Sequence, residues 1–305
     1  MSPTISLVEV GPRDGLQNED RTLTKEQRFA FIKHLAAAGL KRIEVGAFVS
    51  PKWVPQMAGS QELIKELFAR RSEFPPDVRF SALVPNVKGM ETALETEIPE
   101  VAIFGACSES FSKKNINCTV EEGLKRFKQV TAMAKKNKRT VRGYLSVAFG
   151  CPYEGAVAES TVVKLAQRYI KLGVYEVVIG DTIGVANPAQ VKSLLTKLKR
   201  KIPAKKLAMH FHDTRGTALA NVMASLMAGI RTFDSSFGGL GGCPYARGAS
   251  GNLSTDDLLY MLNGMGYRTG VDLNKLLEYT GVIQNLIGHK LPSRTSEAGL
   301  PRTIA

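Results

Sequence analysis

The feature that most restricts the fold of this chain is a regular alternation of short β-rich runs with amphipathic helical segments. The β-rich runs lie at residues 5–10, 42–45, 79–83, 101–104, 142–148, 175–180, 207–212 and 232–235. The helical patterns between them include residues 24–38, 161–172 and 189–200. Strands that alternate with helices build parallel βαβ units. Eight such units in about 240 residues predict an α/β fold, a (β/α)8 TIM barrel, which usually needs about 250 residues.

Local signals support these boundaries. Thr24 followed three residues later by Gln27 resembles a helix-starting capping box, and Gly39 and Gly173 stand where helices would end. An open doubly wound sheet is the alternative architecture. The first strand, however, is not followed by the GxGxxG turn that a dinucleotide site would need.

The C-terminal part of the chain differs from the barrel pattern. It predicts an extra helical segment at residues 273–287 and a polar, poorly ordered tail at residues 292–305. We therefore expect a catalytic barrel over residues 1–265 and a short C-terminal helical extension with its tail over residues 266–305.

The composition excludes several classes of protein. The chain has 305 residues, of which 44% are hydrophobic, so it can bury a large core. Its four cysteines show no CxxC spacing, which argues against a disulfide framework or a structural zinc site. We see no signal or transit peptide, and no apolar run approaches the length that spans a bilayer. We expect a cytoplasmic protein that does not bind membranes.

The formal net charge of +13 raises the question of a nucleic-acid partner. The basic residues are scattered, with modest clusters at residues 135–139 and 197–206 that fall within or after predicted helices. No recognition helix, zinc finger or aromatic-basic motif accompanies them. We therefore expect no nucleic-acid binding. A basic surface can instead steer a phosphorylated small molecule toward the protein.

Polar residues collect at the predicted carboxyl ends of the strands, where barrels place their active sites. Arg13 and Asp14 follow the first strand, Glu44 lies in the second, and Asp181 follows the sixth. Asp-Gly pairs are common in turns, which is the alternative explanation for Asp14 and Gly15. A buried Glu44 needs a partner. Arg13 is the obvious candidate, unless Glu44 faces a helix terminus.

His210 and His212 end the seventh strand two residues apart, so both imidazoles point to the same face. We interpret them as ligands of one metal ion. The alternative is two unrelated strand histidines. Two imidazole nitrogens with oxygen from Asp14 and an amide suit Mg²⁺ or Mn²⁺. Zinc more often recruits ligands richer in nitrogen or sulfur.

The segment of residues 238–252 contains six glycines around a single cysteine, Cys243, and ends on Asn252. Such a backbone can reach positive φ and let a ligand approach closely. Most lone cysteines are buried small hydrophobes, but a glycine-rich loop is a poor place for burial. We expect a loop that closes over the site and gives Cys243 a chemical role.

Six segments together resemble the 3-hydroxy-3-methylglutaryl-CoA lyase family. They are VEVGPRDGLQNE at 8–19, FVSPKWVPQM at 48–57, GCPYEG at 150–155, GDTIG at 180–184, HFHD at 210–213 and the Cys243 loop. The resemblance runs from about residue 5 to residue 290. Each motif alone is weak, but six in this order are specific. One departure is Asp256, where we expect the family to carry Glu.

The resemblance implies the roles of the site residues. It implies that a divalent cation, Mg²⁺ or Mn²⁺, is bound by Asp14, His210, His212 and Asn252. It implies that catalysis falls to Arg13, Glu44, Asp181, His210 and Cys243. The family also implies an acyl-CoA substrate and a homodimer.

The implied reaction is a retro-Claisen cleavage of 3-hydroxy-3-methylglutaryl-CoA to acetyl-CoA and acetoacetate, a step of leucine degradation and ketone-body metabolism. His210 or Asp181 would take the hydroxyl proton, Arg13 held by Glu44 would stabilise the enolate oxygen, and Cys243 would reprotonate the enolate carbon. Two alternatives stay open. One is a barrel enzyme acting on a longer 3-hydroxy-3-alkylglutaryl-CoA or running a Claisen synthesis. The other is a non-catalytic barrel that binds small molecules.

Overall fold

The computed structural model describes residues 3–242 and 251–301, and eight parallel strands in it close into a barrel. Each strand pairs with its neighbours in chain order, and the first pairs with the last. The strands are β1 (Ser6–Glu9), β2 (Arg42–Ala47), β3 (Arg79–Leu83), β4 (Glu100–Ala106), β5 (Thr140–Ser146), β6 (Glu176–Asp181), β7 (Leu207–Phe211) and β8 (Thr232–Ser235). The predicted TIM barrel is confirmed, and every strand overlaps its predicted run.

Helices connect the strands on the outside of the barrel. Between strands lie α1 (Lys25–Ala37), α2 (Ser60–Ala69), α3 (Val87–Leu94), α4 (Glu109–Ile116), α5 (Val120–Lys136), α6 (Glu159–Leu172), α7 (Pro188–Lys199) and α8 (Ala218–Met227). After β8 come α9 (Thr255–Gly264), α10 (Leu273–Leu277), α11 (Thr280–Ile287) and α12 (Arg294–Ala298). The extra helical segment predicted at residues 273–287 is therefore present as α10 and α11.

Side chains set the ends of these helices as predicted. The Gln27 backbone N–H donates to Thr24 Oγ1 at 3.2 Å, and the Thr24 N–H donates to Gln27 Oε1 at 2.8 Å, which completes the capping box of α1. Gly173 ends α6 in the left-handed conformation with a φ of 96°. These caps fix where α1 begins and where α6 ends.

The predicted poor order of the C-terminal tail is wrong for residues 293–298. The Asp257 carboxylate, at the start of α9, accepts hydrogen bonds from the Thr295 backbone N–H at 2.7 Å and from the Ser293 hydroxyl at 3.2 Å. These bonds start α12 and tie it to α9. The division of the chain at residue 265, just after α9, stays a prediction.

Among the described residues, no helix is both long and apolar enough to span a membrane.

Candidate active site

Arg13 and Asp14, which the sequence places after the first strand, lie in one short helical turn. This turn, Gly11–Gly15, follows β1 directly and contains Arg13 and Asp14. Gly15 is required for close packing, because a Cβ there would lie 2.7 Å from Ser236 Oγ and 2.9 Å from Leu240 Cβ. The turn can therefore lie against the segment that follows β8, which brings the first and last strand ends together.

Three side chains converge as a candidate cation site at the carboxyl end of the barrel. Asp14, His210 and His212 each offer a ligand atom, and these atoms lie within 4.8 Å of one another. Asn252 joins them, because its Nδ2 donates to Asp14 Oδ2 at 2.8 Å. A bridge between the backbones of His212 and Asn252 holds the amide beside β7. The structure thus brings together all four residues expected to bind the metal.

Unpaired polar atoms show that this donor set fits a cation. His212 Nδ1 and Asn252 Oδ1 are buried and have no hydrogen-bond partner within residues 3–242 and 251–301. Buried polar atoms are normally paired, and an unpaired one calls for a ligand or ion. Burial lowers the pKa of His212 to about 3, so its ring is neutral and able to ligate at pH 7. Carboxylate, amide and imidazole donors suit a divalent ion.

Neighbouring side chains keep the carboxyl group of Asp14 ionised. Burial alone would raise the pKa of this carboxyl, but the Arg13 guanidinium and the two imidazoles outweigh burial and hold the pKa below its usual range. Arg13 Nη1 donates to Asp14 Oδ1 at 2.5 Å. Asp14 is therefore a carboxylate across the physiological range of pH.

The expected pairing of Arg13 with Glu44 is present. Arg13 Nε donates to Glu44 Oε1, and both side chains are buried. Glu44 Oε2 accepts a further hydrogen bond from the Tyr144 hydroxyl at 3.2 Å. Glu44 thus faces the barrel interior rather than a helix terminus. It fixes the guanidinium of Arg13 beside the candidate cation site.

Asp181 ends β6 and is nearly inaccessible to solvent. Its two carboxylate oxygens accept hydrogen bonds from the Val185 N–H at 2.9 Å and the Ala186 N–H at 3.1 Å. Burial raises the pKa of Asp181 to about 6. The carboxylate therefore shapes the loop before α7, and it is also a stronger base than an ordinary aspartate.

A cavity of about 760 Å³ opens above these residues. Arg13, Asp14, His210 and His212 form part of its wall. Three basic side chains line it as well: Lys113, Lys114 and Arg126. The volume and the mixture of charges suit a large anionic ligand with a polar reacting end.

The glycine-rich loop is described only at its ends. Gly238, Gly239 and Gly241 adopt positive φ values of 60°, 75° and 113°, as the sequence predicted for such a segment. Cys243 lies outside the described residues, so its predicted role stays a prediction. Asp256 is buried below the start of the loop, where its Oδ1 accepts from the Gly238 N–H at 3.2 Å.

Sequence reasoning missed Tyr144, Arg142 and Asp234. Arg142 and Asp234 form a buried ion pair inside the barrel, and Asp234 Oδ2 lies 3.2 Å from His210 Nδ1. A signal was available, because charged residues in the middle of a buried strand need partners. The partners come from different strands far apart in the chain, so only the fold reveals them.

Comparison with known proteins shows the family of this chain. The sequence model of the family described as HMGL-like matches residues 4–283. The hydroxymethylglutaryl-CoA lyase of Pseudomonas mevalonii is 49% identical over 97% of this chain and 96% of its own length. A Pseudomonas aeruginosa protein named 3-hydroxy-3-isohexenylglutaryl-CoA/hydroxy-methylglutaryl-CoA lyase is 48% identical over 98% of both chains.

A solved structure of a similar protein has the same fold as this chain. The crystal structure of hydroxymethylglutaryl-CoA lyase from Pseudomonas aeruginosa matches with a TM-score of 0.92 and 47% identity, over 97% of this chain and 98% of that one. Identity at this level over nearly the whole of both chains covers the barrel and every predicted strand end. The chain therefore belongs to the hydroxymethylglutaryl-CoA lyase family.

Proposed function

We propose that this chain is a carbon–carbon lyase that cleaves 3-hydroxy-3-methylglutaryl-CoA to acetyl-CoA and acetoacetate in a reaction dependent on a divalent cation. One observation carries the proposal: Arg13 meets Asp14, His210 and His212 in the wall of a 760 Å³ cavity. The two relatives at 48% and 49% identity bear the names of such lyases and support it.

Asp14, His210, His212 and Asn252 would hold the cation. Their oxygen and nitrogen donors favour Mg²⁺ or Mn²⁺ over zinc, which more often takes sulfur or further nitrogen ligands. When bound, such an ion polarises a substrate oxygen and favours loss of the hydroxyl proton. The unpaired Asn252 Oδ1 supports this assignment of the amide.

Arg13 supplies positive charge where the thioester oxygen becomes negative. Its Nε and Nη1 donate to Glu44 and Asp14, and the side chain forms part of the cavity wall. Because the guanidinium is buried and already oriented, it can stabilise an enolate oxygen without a costly rearrangement. Glu44 contributes by holding the arginine.

His210 and Asp181 are the two expected proton acceptors; His210 lines the cavity, whereas Asp181 is represented in the wall only by its neighbours Gly180 and Thr182. His210 Nδ1 already faces Asp234, and its other ring nitrogen is needed for the cation. The pKa of Asp181, about 6, leaves it ionised at pH 7 and more basic than an exposed aspartate. Asp181 would therefore take the C3 hydroxyl proton as the C2–C3 bond breaks, and Cys243 would return a proton to the enolate carbon of acetyl-CoA.

The substrate is an acyl-CoA, and neither a nucleic acid nor a membrane is a proposed partner. Lys113, Lys114 and Arg126 in the cavity wall offer positive charge to the phosphates of the CoA moiety. The net charge of +13 favours the approach of such an anion.

The chain is proposed to act in the cytoplasm as a homodimer. Cys107, Cys118 and Cys151 are free and buried thiols, which supports a reducing compartment. The dimer rests on the family resemblance, and sedimentation of the purified chain against its mass of 33.2 kDa tests it.

The experiment is a substrate panel. The protein loaded with Mg²⁺ or Mn²⁺ is given 3-hydroxy-3-methylglutaryl-CoA and analogues with longer 3-alkyl groups, and acetyl-CoA and the keto acid are both measured. We expect equal amounts of the two products from the methyl substrate. Preference for a longer substrate would favour the alternative that the isohexenyl name of one relative suggests. A protein that binds no metal and releases no product would be a non-catalytic barrel.

A further inference from the structure

A column of buried charged side chains runs through the barrel interior, and the proposed reaction does not use it. Barrel interiors are mostly filled by branched apolar residues. Here Arg142 of β5 lies at the centre and is 1% exposed. Its Nε donates to Glu176 Oε2 at 2.7 Å, and Arg42 Nη2 donates to the same oxygen at 2.8 Å.

The column ends at His210. Arg142 donates to both oxygens of Asp234, at 2.7 and 3.1 Å, and Asp234 Oδ2 lies 3.2 Å from His210 Nδ1. The Asp234 side chain is fully buried. A carboxylate held by the fork of a guanidinium only accepts hydrogen bonds. The proton between Asp234 and His210 therefore belongs to Nδ1, which leaves the lone pair of the ring on Nε2.

His212 provides the contrast. Its Nδ1 is buried and has no hydrogen-bond partner in the described part of the chain. No described side chain therefore fixes the tautomer of His212, whereas Asp234 fixes the tautomer of His210. The two histidines of the candidate cation site are not equivalent.

We infer that Asp234 is a positioning residue of the cation site, which holds His210 in the Nδ1–H tautomer so that Nε2 is free to bind the ion, while Arg142 locks Asp234 in place. This inference rests on the proposed cation site. Hydrogen bonds from a carboxylate to a metal-binding histidine orient the ring and raise its basicity as a ligand.

The substitution Asp234→Asn tests this geometry. Asparagine has one carbonyl oxygen, and we expect it to face Arg142, because an amide NH₂ group cannot accept a hydrogen bond from the guanidinium. The amide NH₂ then faces His210 Nδ1 and makes that nitrogen an acceptor. The ring proton moves to Nε2, and the lone pair for the ion is lost.

The readout is binding of Mn²⁺ alone, measured by electron paramagnetic resonance on the full chain without acyl-CoA. We expect Asp234→Asn to bind Mn²⁺ about 10- to 100-fold more weakly than the unaltered protein. The matched control is Glu100→Gln, which alters another buried carboxylate of the barrel interior, one that accepts from the Tyr175 hydroxyl at 2.9 Å. We expect the Glu100→Gln variant to bind Mn²⁺ with the same affinity as the unaltered protein.

Two failures are distinguishable. Equal affinity in Asp234→Asn and the unaltered protein would overturn the inference and leave the cation site standing. Absence of Mn²⁺ binding by the unaltered protein would overturn the proposed site and the inference with it.

A second measurement needs no Asp234 variant. The chain has four histidines, so ¹⁵N spectra of the imidazole rings with Mg²⁺ bound are simple. The variants His34→Gln and His289→Gln remove two of the four signals and leave the pair at the site. His210 protonated on Nδ1 supports the inference, and His210 protonated on Nε2 contradicts it even if Asp234→Asn does not fold.

Discussion

Replacement of Glu44 by glutamine isolates the contact that orients Arg13. The substitution keeps an oxygen that can accept from Arg13 Nε but removes the negative charge of a side chain that is 1% exposed. Arg13 keeps its bond to Asp14 at 2.5 Å, so the guanidinium stays in the site with one charged partner instead of two. The change therefore weakens positioning without deleting the catalytic group.

The expected effect on stability is small and the effect on turnover is large. A buried hydrogen bond to a charged group contributes about 1.5–3 kcal/mol and a neutral one about 0.5–1.5 kcal/mol, so Glu44→Gln costs roughly 1 kcal/mol. Loss of one aligned donor to a developing oxyanion costs about 10²- to 10³-fold in kcat. Because Arg13 remains present, we expect a fall in kcat of about 10²-fold, at the lower end of that range.

The assay is steady-state release of acetyl-CoA at saturating Mg²⁺, with the free energy of unfolding measured by urea denaturation. The matched control is Tyr144→Phe, which removes the other hydrogen bond to Glu44 but keeps its charge. We expect a smaller loss of kcat in the control. Wild-type turnover by Glu44→Gln, together with an inactive Arg13→Gln, would show that Glu44 does not hold Arg13 in its active position.

Three further predictions concern other groups. Cys243→Ser should lower kcat by at least about 10²-fold and leave Mn²⁺ affinity unchanged, because a hydroxyl is a far weaker acid than a thiol; normal turnover would remove Cys243 from the mechanism. Asp181 must be ionised to take a proton, so kcat/KM should fall as the pH drops below its pKa of about 6, and a pH profile that stays flat down to pH 5 would contradict this role. Burial raises the pKa of Glu9 to about 7, so its contribution to stability is complete below the unfolded pKa and is lost as the pH rises toward 7. Urea denaturation should show a loss of up to about 3 kcal/mol between pH 5 and 8 that is absent in Glu9→Gln, and equal pH dependence in both proteins would refute it.

Features that depend on residues only a few positions apart in the chain could be predicted from the sequence. The capping box of α1 and the alternation of strands and helices depend on neighbours within a few positions, so the barrel follows from them. Arg13, Asp14, His210 and His212 were predictable because a barrel brings all its strand ends to one face. The rule that a buried Glu44 needs a cation then selected Arg13 as its partner.

Residues that depend on contacts between distant strands could not be predicted in this way. Arg142 and Asp234 are 92 positions apart, and nothing local marks them as partners. Tyr144 reads as an ordinary aromatic strand residue until its hydroxyl is found between Arg142 and Glu44. The order of α12 has the same origin, because a polar tail gains a fixed place only through Asp257, 38 residues before Thr295.

The most direct test of cation-dependent cleavage is product release by the protein stripped of metal with a chelator and then reloaded with Mn²⁺. We expect no cleavage of 3-hydroxy-3-methylglutaryl-CoA by the stripped protein and equal amounts of acetyl-CoA and acetoacetate after reloading. Full cleavage by the metal-free protein, or Mn²⁺ binding without either product, would contradict it.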